Sequence, residues 1–207
     1  MLLNEIESYW TNRAEGYSKI NKHELAGVQR MLWGNLIEAN MPEHLKNVKN
    51  KKEINVLDIG TGPGFFSILL AERGYNVSAV DYTEEMLVKA KDNAGIFKDE
   101  IDFRRMDAQN LNFDNNQFDL IVTRNLTWVL EDPEKAYKEW FRVLKPGGKL
   151  LNFDANWYCH LSDETKKREQ ESFGFMSEET LKNVIRKTML RAEGRITYAF
   201  QGGEPTL

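Results

Sequence analysis

Glycines and a carboxylate stand close together in one short stretch, VLDIGTGPGFF, at residues 56–66. An aspartate ends an apolar run, and glycines occupy every second position after it. The members are Asp58, Gly60, Thr61, Gly62, Pro63 and Gly64. Glycines at a turn between a strand and a helix let a ligand approach the backbone, and the start of the following helix offers unpaired N–H groups. Two ligand classes use such a loop, the dinucleotides and S-adenosylmethionine.

Three details of this loop favour S-adenosylmethionine. The dinucleotide motif GxGxxG has glycine or alanine where Phe65 stands here. Pro63 removes a backbone donor from the loop, which suits a pyrophosphate poorly. Asp58 would repel phosphates, but it could hold an ammonium group directly or through water. A cationic ligand therefore fits the loop better than a dianionic one, and an NAD-dependent oxidoreductase is kept as the alternative.

Two more carboxylates follow the next two predicted strands. Asp81 ends the second strand, where an aspartate can accept both hydroxyls of a ribose in either ligand class. Asp107 closes the third strand and could accept the exocyclic amino proton of an adenine, while Ala108 beside it leaves room for the ring. Together with the loop, these residues predict a nucleoside-binding site.

Strands and helices alternate from residue 54 to residue 156, which predicts an α/β fold with a mostly parallel sheet. The predicted strands are 54–60, 75–81, 101–107, 118–125 and 149–156. An apolar stripe follows Asp132 and Pro133, which are expected to begin a helix that KPGG at 145–148 ends. Ligands of such sheets bind outside the carboxyl ends of the strands, where these aspartates lie.

The two ends of the chain carry different patterns. Residues 1–50 have helical spacing, with Trp10, Arg13 and Tyr17 on one face, and we expect a helical N-terminal cap or lid. A fixed helix over the sheet edge is the alternative. Residues 51–207 are expected to form the cofactor-binding domain. After residue 156 only a helix at 178–191 and a last strand at 195–200 are indicated, so the C-terminal part looks reduced or incomplete.

Residues 5 to 156 resemble the class I S-adenosylmethionine-dependent methyltransferases, in particular the small-molecule group that includes the ubiquinone-biosynthesis type. The motifs that carry the resemblance are VLDIGTGPGFFSILLAERG, VSAVDYTEEMLVKAK and RRMDAQNLNFDNNQFDLIVTRNLTWVLEDPEKAYKEWFRVLKPGGKLL, in the usual order. It implies a Rossmann-like three-layer sandwich whose last strand is antiparallel. The sixth of the family's usual seven strands is not recognisable in this sequence.

The resemblance also implies which residues hold S-adenosylmethionine. Those against its methionine and sulfonium end are Gly60, Gly62, Gly64, the backbone of Arg124 or Asn125, and Tyr17 from the N-terminal YWTNRAEGY. Those against its nucleoside are Asp81 at the ribose, Tyr82 and Met86 beside the adenine, and Asp107 and Ala108 at the adenine edge. Asp58 and Thr61 complete the predicted cofactor-binding set.

The composition of the chain indicates which binding partners and which cellular compartment to expect. The chain has 207 residues, a net charge of −4 and a single cysteine, Cys159. The net negative charge argues against a nucleic-acid substrate, because a protein that binds nucleic acid usually needs a basic face. Because the sequence has no apolar window long enough to span a membrane and no basic signal segment, we expect a cytoplasmic protein. No Cys/His cluster has metal spacing, so no metal is predicted. The oligomeric state is left open, with a homodimer as one option.

The implied activity is methyl transfer to a small-molecule acceptor by in-line displacement, with S-adenosylhomocysteine as the product. Positioning of the two reactants can lower such a barrier by roughly 7–11 kcal/mol. A general base is needed only if the acceptor must first lose a proton. The candidates near the strand ends are His160, Asp154 and Tyr158, and His160 is preferred because of its intrinsic pKa. Tyr17 is the second catalytic candidate. A protein that binds the cofactor without turnover remains the alternative.

Overall fold

The structure, a computed structural model, describes residues 2–154 and 200–201. Two helices come first, and strands then alternate with helices. The helices are α1 (Leu2–Ala26), α2 (Val28–Ala39), α3 (Phe65–Glu72), α4 (Glu84–Ala94) and α5 (Pro133–Val143). The strands are β1 (Asn55–Ile59), β2 (Asn76–Asp81), β3 (Ile101–Arg105), β4 (Phe118–Arg124), β5 (Leu144–Phe153) and a two-residue β6 (Phe200–Gln201).

The sheet has the order β3-β2-β1-β4-β5-β6, and β1 to β5 are all parallel. The strand order reverses between β1 and β4, because the chain runs outward from β1 through β2 to β3 and then returns to the other side of β1. A crevice opens at such a switch point, outside the carboxyl ends of the strands. The predicted Rossmann-like α/β fold with a mostly parallel sheet is confirmed.

The predicted antiparallel last strand is not seen at its expected length among the described residues. Only Phe200 and Gln201 pair antiparallel with β5, opposite Leu150 and Lys149. The rest of the strand predicted at 195–200 and the helix predicted at 178–191 lie outside the described residues.

Two hydrophobic clusters cover the two faces of the sheet. Successive strand residues point to opposite faces, so Val56 joins the cluster under α3 whereas Leu57 joins the cluster under α5. The indole of Trp140 is fully buried within the second cluster. The three-layer arrangement therefore follows directly from apolar residues on both sides of the strands.

The start of α5 agrees with the sequence, but the start of β5 does not. The Asp132 carboxylate accepts a hydrogen bond of 3.0 Å from the Lys135 backbone N–H and caps the helix as predicted. The sequence predicts that KPGG ends the helix and that the strand begins at residue 149, yet β5 already begins at Leu144, which pairs with Phe118. A register shift lets the pairing continue, and it brings Gly148 so close to β4 that a Cβ there would lie 2.9 Å from the Asp119 carbonyl oxygen.

The N-terminal segment is helical, as expected, and it packs on the sheet domain. Gly27 separates α1 from α2, and Ile37 and Met41 join the hydrophobic cluster on the α3 face. A division into a cap at 1–50 and a separate domain thus remains a prediction. None of the helices within residues 2–154 is long and apolar enough to cross a membrane. The cytoplasmic location also stays a prediction.

Candidate functional site

A cavity of about 310 Å³ lies between α1 and the carboxyl ends of the central strands. This size falls within the usual range of small-molecule sites, roughly 300–1,000 Å³. Most residues predicted from the sequence line it, namely Tyr17, Asp58, Gly60, Thr61, Gly62, Asp81, Tyr82, Met86, Asp107, Ala108, Arg124 and Asn125. Gly64 does not line the cavity, and the base candidates His160 and Tyr158 lie outside the described residues.

Two positions of the loop, Gly62 and Gly64, require glycine for different structural reasons. Gly62 has a φ of 53°, and a Cβ built on it would meet no atom within 4 Å, so its bare backbone faces open space in the cavity. Gly64 has a φ of 93°, and a Cβ there would approach Ala90 of α4 at 3.2 Å. Gly62 thus leaves room for a ligand, whereas Gly64 allows the loop to pack on α4.

Asp81 ties the loop to the end of β2. Its two carboxylate oxygens accept hydrogen bonds of 2.9 Å, one from the Gly62 N–H and one from the Thr83 N–H. Burial raises the pKa of this carboxyl above its ordinary value, and the backbone bonds from Thr83 and Gly62 oppose that rise. Each oxygen keeps a second lone pair, so Asp81 can still accept hydrogen bonds from a ligand.

Asp58 is the most deeply buried carboxylate of the cavity wall, with 2% of its surface exposed. The Thr61 hydroxyl donates to it at 2.7 Å and lies 2.9 Å from the Ser67 hydroxyl, which donates to the Gly64 carbonyl. Burial raises the pKa of Asp58 to about 7, against the opposing effect of hydrogen bonds from Thr61 and from the Ser67 backbone. Its charge therefore changes in the physiological pH range.

The end of β3 forms a turn rather than the strand predicted to residue 107. β3 ends at Arg105, and Asp107 accepts hydrogen bonds from the backbone N–H of Gln109 at 2.9 Å and from its side chain at 3.3 Å. The Ala108 carbonyl accepts the indole N–H of Trp140 at 2.8 Å. These contacts hold the Asp107–Ala108 pair at the cavity wall and add Gln109 to it.

Tyr82 is held from outside the cavity by Arg105. The guanidinium donates to the Tyr82 carbonyl at 2.9 Å, lies 5.3 Å from the centre of its ring, and pairs with Glu7 of α1 at 2.7 Å. Met86, in the first turn of α4, is buried and also lines the cavity. Both residues predicted to face the adenine therefore line the cavity.

Helix α1 closes the cavity through a contact that the sequence did not reveal. The guanidinium of Arg124 makes two hydrogen bonds to the carboxylate of Glu24, at 2.8 and 3.1 Å, and lies about 5 Å from the ring centres of Trp33 and Phe65. Arg124 thus fastens α1 to the end of β4. Its charge is already paired, so Arg124 is not a free cation for a ligand.

The backbone of Asn125, expected to face the cofactor, already has protein partners. Its N–H donates to the Phe153 carbonyl at 3.0 Å, and its carbonyl accepts the indole N–H of Trp128 at 2.8 Å. The residue has a φ of 57°, which asparagine tolerates better than most side chains. Asn125 therefore shapes the cavity mainly through its turn.

Tyr17 lines the cavity and belongs to an aromatic group that extends from α1. Its ring packs edge-on against Trp10, which in turn packs against Trp128. Burial raises the pKa of the Tyr17 hydroxyl, and the positive charge of Arg124 opposes that shift. Because the hydroxyl stays protonated at neutral pH, Tyr17 can orient a ligand but is poorly suited to take a proton from it.

The comparisons with known proteins agree with this geometry. A family model described as a methyltransferase domain matches residues 57–152. A ubiquinone biosynthesis O-methyltransferase from Coxiella burnetii is 33% identical over 162 residues, covering 70% of this chain and 69% of that relative. The chain belongs to the class I S-adenosylmethionine-dependent methyltransferases. Its cofactor is accordingly S-adenosyl-L-methionine, and the alternative of an NAD-dependent oxidoreductase is wrong.

Two further similarities are consistent with this methyltransferase family. A ubiquinone/menaquinone biosynthesis C-methyltransferase from Rickettsia bellii is 32% identical over 155 residues, covering 70% of this chain and 58% of that relative. A crystal structure from Methanococcus maripaludis, described as an S-adenosyl-L-methionine-dependent methyltransferase, superposes with a TM-score of 0.61 at 23% identity. It covers 88% of this chain and 83% of that structure, and it supports the fold alone.

Some residues that shape the methyltransferase cavity escaped sequence reasoning although a signal existed. Asn21 and Glu24 lie four and seven positions after Tyr17, on the same face of α1, and both line the cavity. Gln109 stands two positions after Asp107, the spacing of an aspartate turn. Helical and turn spacing would have indicated all three residues, but their partners could not be read from it.

Proposed function

We propose that the cavity beneath α1 binds S-adenosylmethionine and that the enzyme methylates a small-molecule acceptor. The observation that carries the proposal is the pairing of an open backbone position, Gly62, with a carboxylate that holds it, Asp81. Both face one cavity together with Asp58 and Asp107. Residues from three separate strand ends thus offer a bare surface and acceptors to the same ligand.

The charges of the cavity suit a cationic ligand. Asp58, Asp81 and Asp107 line it, and the charge of Arg124 is balanced by Glu24. When bound, S-adenosylmethionine supplies an electrophilic methyl group on a positively charged sulfur. We assign Asp81 to the ribose hydroxyls, Asp107 to the adenine amino group and Asp58 to the ammonium group. Each assignment matches a carboxylate acceptor with a donor of the cofactor.

The remaining wall suits a small apolar acceptor. Trp10, Tyr17, Leu126 and Val129 present aromatic and aliphatic surface to the cavity. The two curated relatives described above are named for methylation in quinone biosynthesis. We infer that the acceptor carries a ring about the size of a quinone ring. These side chains would hold it so that water is excluded during methyl transfer. The neutral hydroxyl of Tyr17 would orient the acceptor, and His160 remains the predicted base.

The experiment is incubation of the purified protein with S-adenosylmethionine labelled in its methyl group and a panel of phenols, catechols and quinols. We expect the label to appear in a low-molecular-weight product, together with S-adenosylhomocysteine. Mass spectrometry would show whether oxygen or carbon is methylated. Cofactor binding without any labelled product from the panel or from a metabolite extract would favour the alternative of a binding protein without turnover.

Replacing Asp81 with alanine should weaken binding of S-adenosylhomocysteine strongly. The change removes two charge-assisted hydrogen bonds, worth about 1.5–3 kcal/mol each. It also releases the Gly62 N–H, because Asp81 accepts from it in the structure. Calorimetric titration would measure the loss, with Asp102→Ala as a control, since Asp102 is an exposed carboxylate on β3 paired with Arg104. Equal affinity of the Asp81 variant and the control would remove Asp81 from the site.

A further inference from the structure

One side chain joins the cofactor loop to the helix that covers it. The Asn93 amide nitrogen, near the end of α4, donates to the Pro63 carbonyl at 2.9 Å. Its amide oxygen accepts from the Ser18 hydroxyl of α1 at 3.1 Å. Ser18 is only 3% exposed, so this bond is shielded from water. The amide nitrogen of Asn93 therefore binds the loop, and its amide oxygen binds the helix.

Both ends of this connection lie next to the cavity. Pro63, which follows Gly62 in the loop, lines the cavity, and so does Tyr17, the residue before Ser18. Pro63 has no N–H, so its carbonyl is the backbone group through which this part of the loop can be fixed. The small side chains of Ala14 and Ser18, one helical turn apart and both buried, let α1 approach α4 closely enough for the bond to form.

We propose that Asn93 is a positioning residue that sets the glycine loop and the Tyr17 segment of α1 in one fixed relation. This inference rests on the proposed cofactor site. If the loop bond is lost, Pro63 can shift and the backbone around Gly62 with it. If the helix bond is lost, α1 can move away from the loop and carry Tyr17 with it. Either change should weaken cofactor binding, although neither Asn93 nor Ser18 lines the cavity.

Two variants separate the halves of the connection. Asn93→Asp keeps an acceptor for Ser18 but places a carboxylate oxygen against the Pro63 carbonyl. Ser18→Ala removes the helix bond and leaves the loop bond in place. A neutral hydrogen bond contributes about a factor of five in an equilibrium constant. We expect Ser18→Ala to weaken binding of S-adenosylhomocysteine about fivefold, and Asn93→Asp about tenfold.

The double variant tests whether the two bonds act as one unit. If they do, the double variant should bind about as weakly as Asn93→Asp alone, because loss of either bond already uncouples the loop from α1. Hydrogen exchange should also show faster exchange of the Gly62 and Gly64 amides in Ser18→Ala, although Ser18 does not touch the loop in the structure. A role limited to helix packing would lower the unfolding temperature without changing either readout.

Glu15→Ala is the matched control. Glu15 pairs with Lys89 at 2.8 Å, so it joins the same two helices, but its contact is exposed and does not reach the loop. We expect this variant to bind S-adenosylhomocysteine as the unchanged protein does. The inference is overturned if Ser18→Ala also binds normally, or if the effects of the two variants simply add. Failure of the unchanged protein to bind would instead contradict the proposed cofactor site.

Discussion

Replacing Gly62 with valine will abolish binding of S-adenosylmethionine and S-adenosylhomocysteine while the protein stays folded. The Cβ of the new side chain would meet no protein atom within 4 Å. It would instead project into the cavity that Gly62 lines, where the proposed ligand lies. The backbone φ of 53° adds a folding cost, about 1–2 kcal/mol for a residue with a Cβ. A domain of ordinary stability, about 5–15 kcal/mol, tolerates that loss.

Gly95→Val separates the backbone cost from the loss of ligand space. Gly95 has a φ of 54° and equally open surroundings, but it follows α4 and does not line the cavity. Both variants should unfold at a somewhat lower temperature, and only Gly62→Val should fail to bind in a calorimetric titration. If Gly62→Val binds the cofactor as well as Gly95→Val does, then the loop is a turn rather than a ligand-binding surface.

Replacing Asp58 with asparagine should raise the free energy of unfolding at pH 8 and weaken cofactor binding at the same pH. Burial raises the pKa of Asp58 from its ordinary 3.8 to about 7, so the folded protein holds a proton that the unfolded chain releases. Between these two values the unfolding free energy of the unchanged protein falls as the pH rises. Between pH 5 and pH 8, we expect the unfolding free energy of the unchanged protein to fall by about 2–3 kcal/mol relative to that of the Asp58→Asn variant. Urea unfolding of both proteins at several pH values measures this difference.

Cofactor affinity should show the reverse dependence on pH. If the ionised Asp58 holds the ammonium group, affinity should drop about tenfold from pH 8 to pH 6 as the carboxylate becomes protonated near pH 7. The Asp58→Asn variant should bind weakly at pH 8, and it should lack this part of the pH dependence. A variant that binds as tightly as the unchanged protein at pH 8 would show that the charge of Asp58 has no part in binding.

Asp119→Asn provides a buried control carboxylate with a different environment. Asp119 is 8% exposed, pairs with Lys145 at 2.8 Å and accepts the Asn55 N–H at 2.9 Å, at the opposite end of the sheet from the cavity. Removing its charge leaves Lys145 without its partner, so this variant should be less stable at pH 8. It should bind the cofactor normally. The two substitutions would then separate a carboxylate that stabilises the fold from one that serves the ligand.

The glycine loop and the aspartates at the strand ends could be predicted because their signals are local. A strand and its following turn occupy adjacent positions, and parallel strands bring their carboxyl ends to the same edge. Asp58, Asp81 and Asp107 consequently line one cavity, as the strand pattern predicted. The start of β5 could not be predicted because it depends on a non-local contact. Its first residue, Leu144, pairs with Phe118 of β4, which is far from it in the sequence.

The sequence by itself determined the alternation of strands and helices, the family and the residues around the cavity, because these depend on spacing along the chain. Only the tertiary structure decided how those residues are held. Arg124 meets Glu24 from a position 100 residues away, and Asn93 of α4 connects Ser18 of α1 to Pro63 of the loop. Burial of Asp58, which moves its pKa to about 7, likewise arises only when the chain is folded. Contacts between distant segments leave no periodic pattern, so they become visible only once the chain is folded.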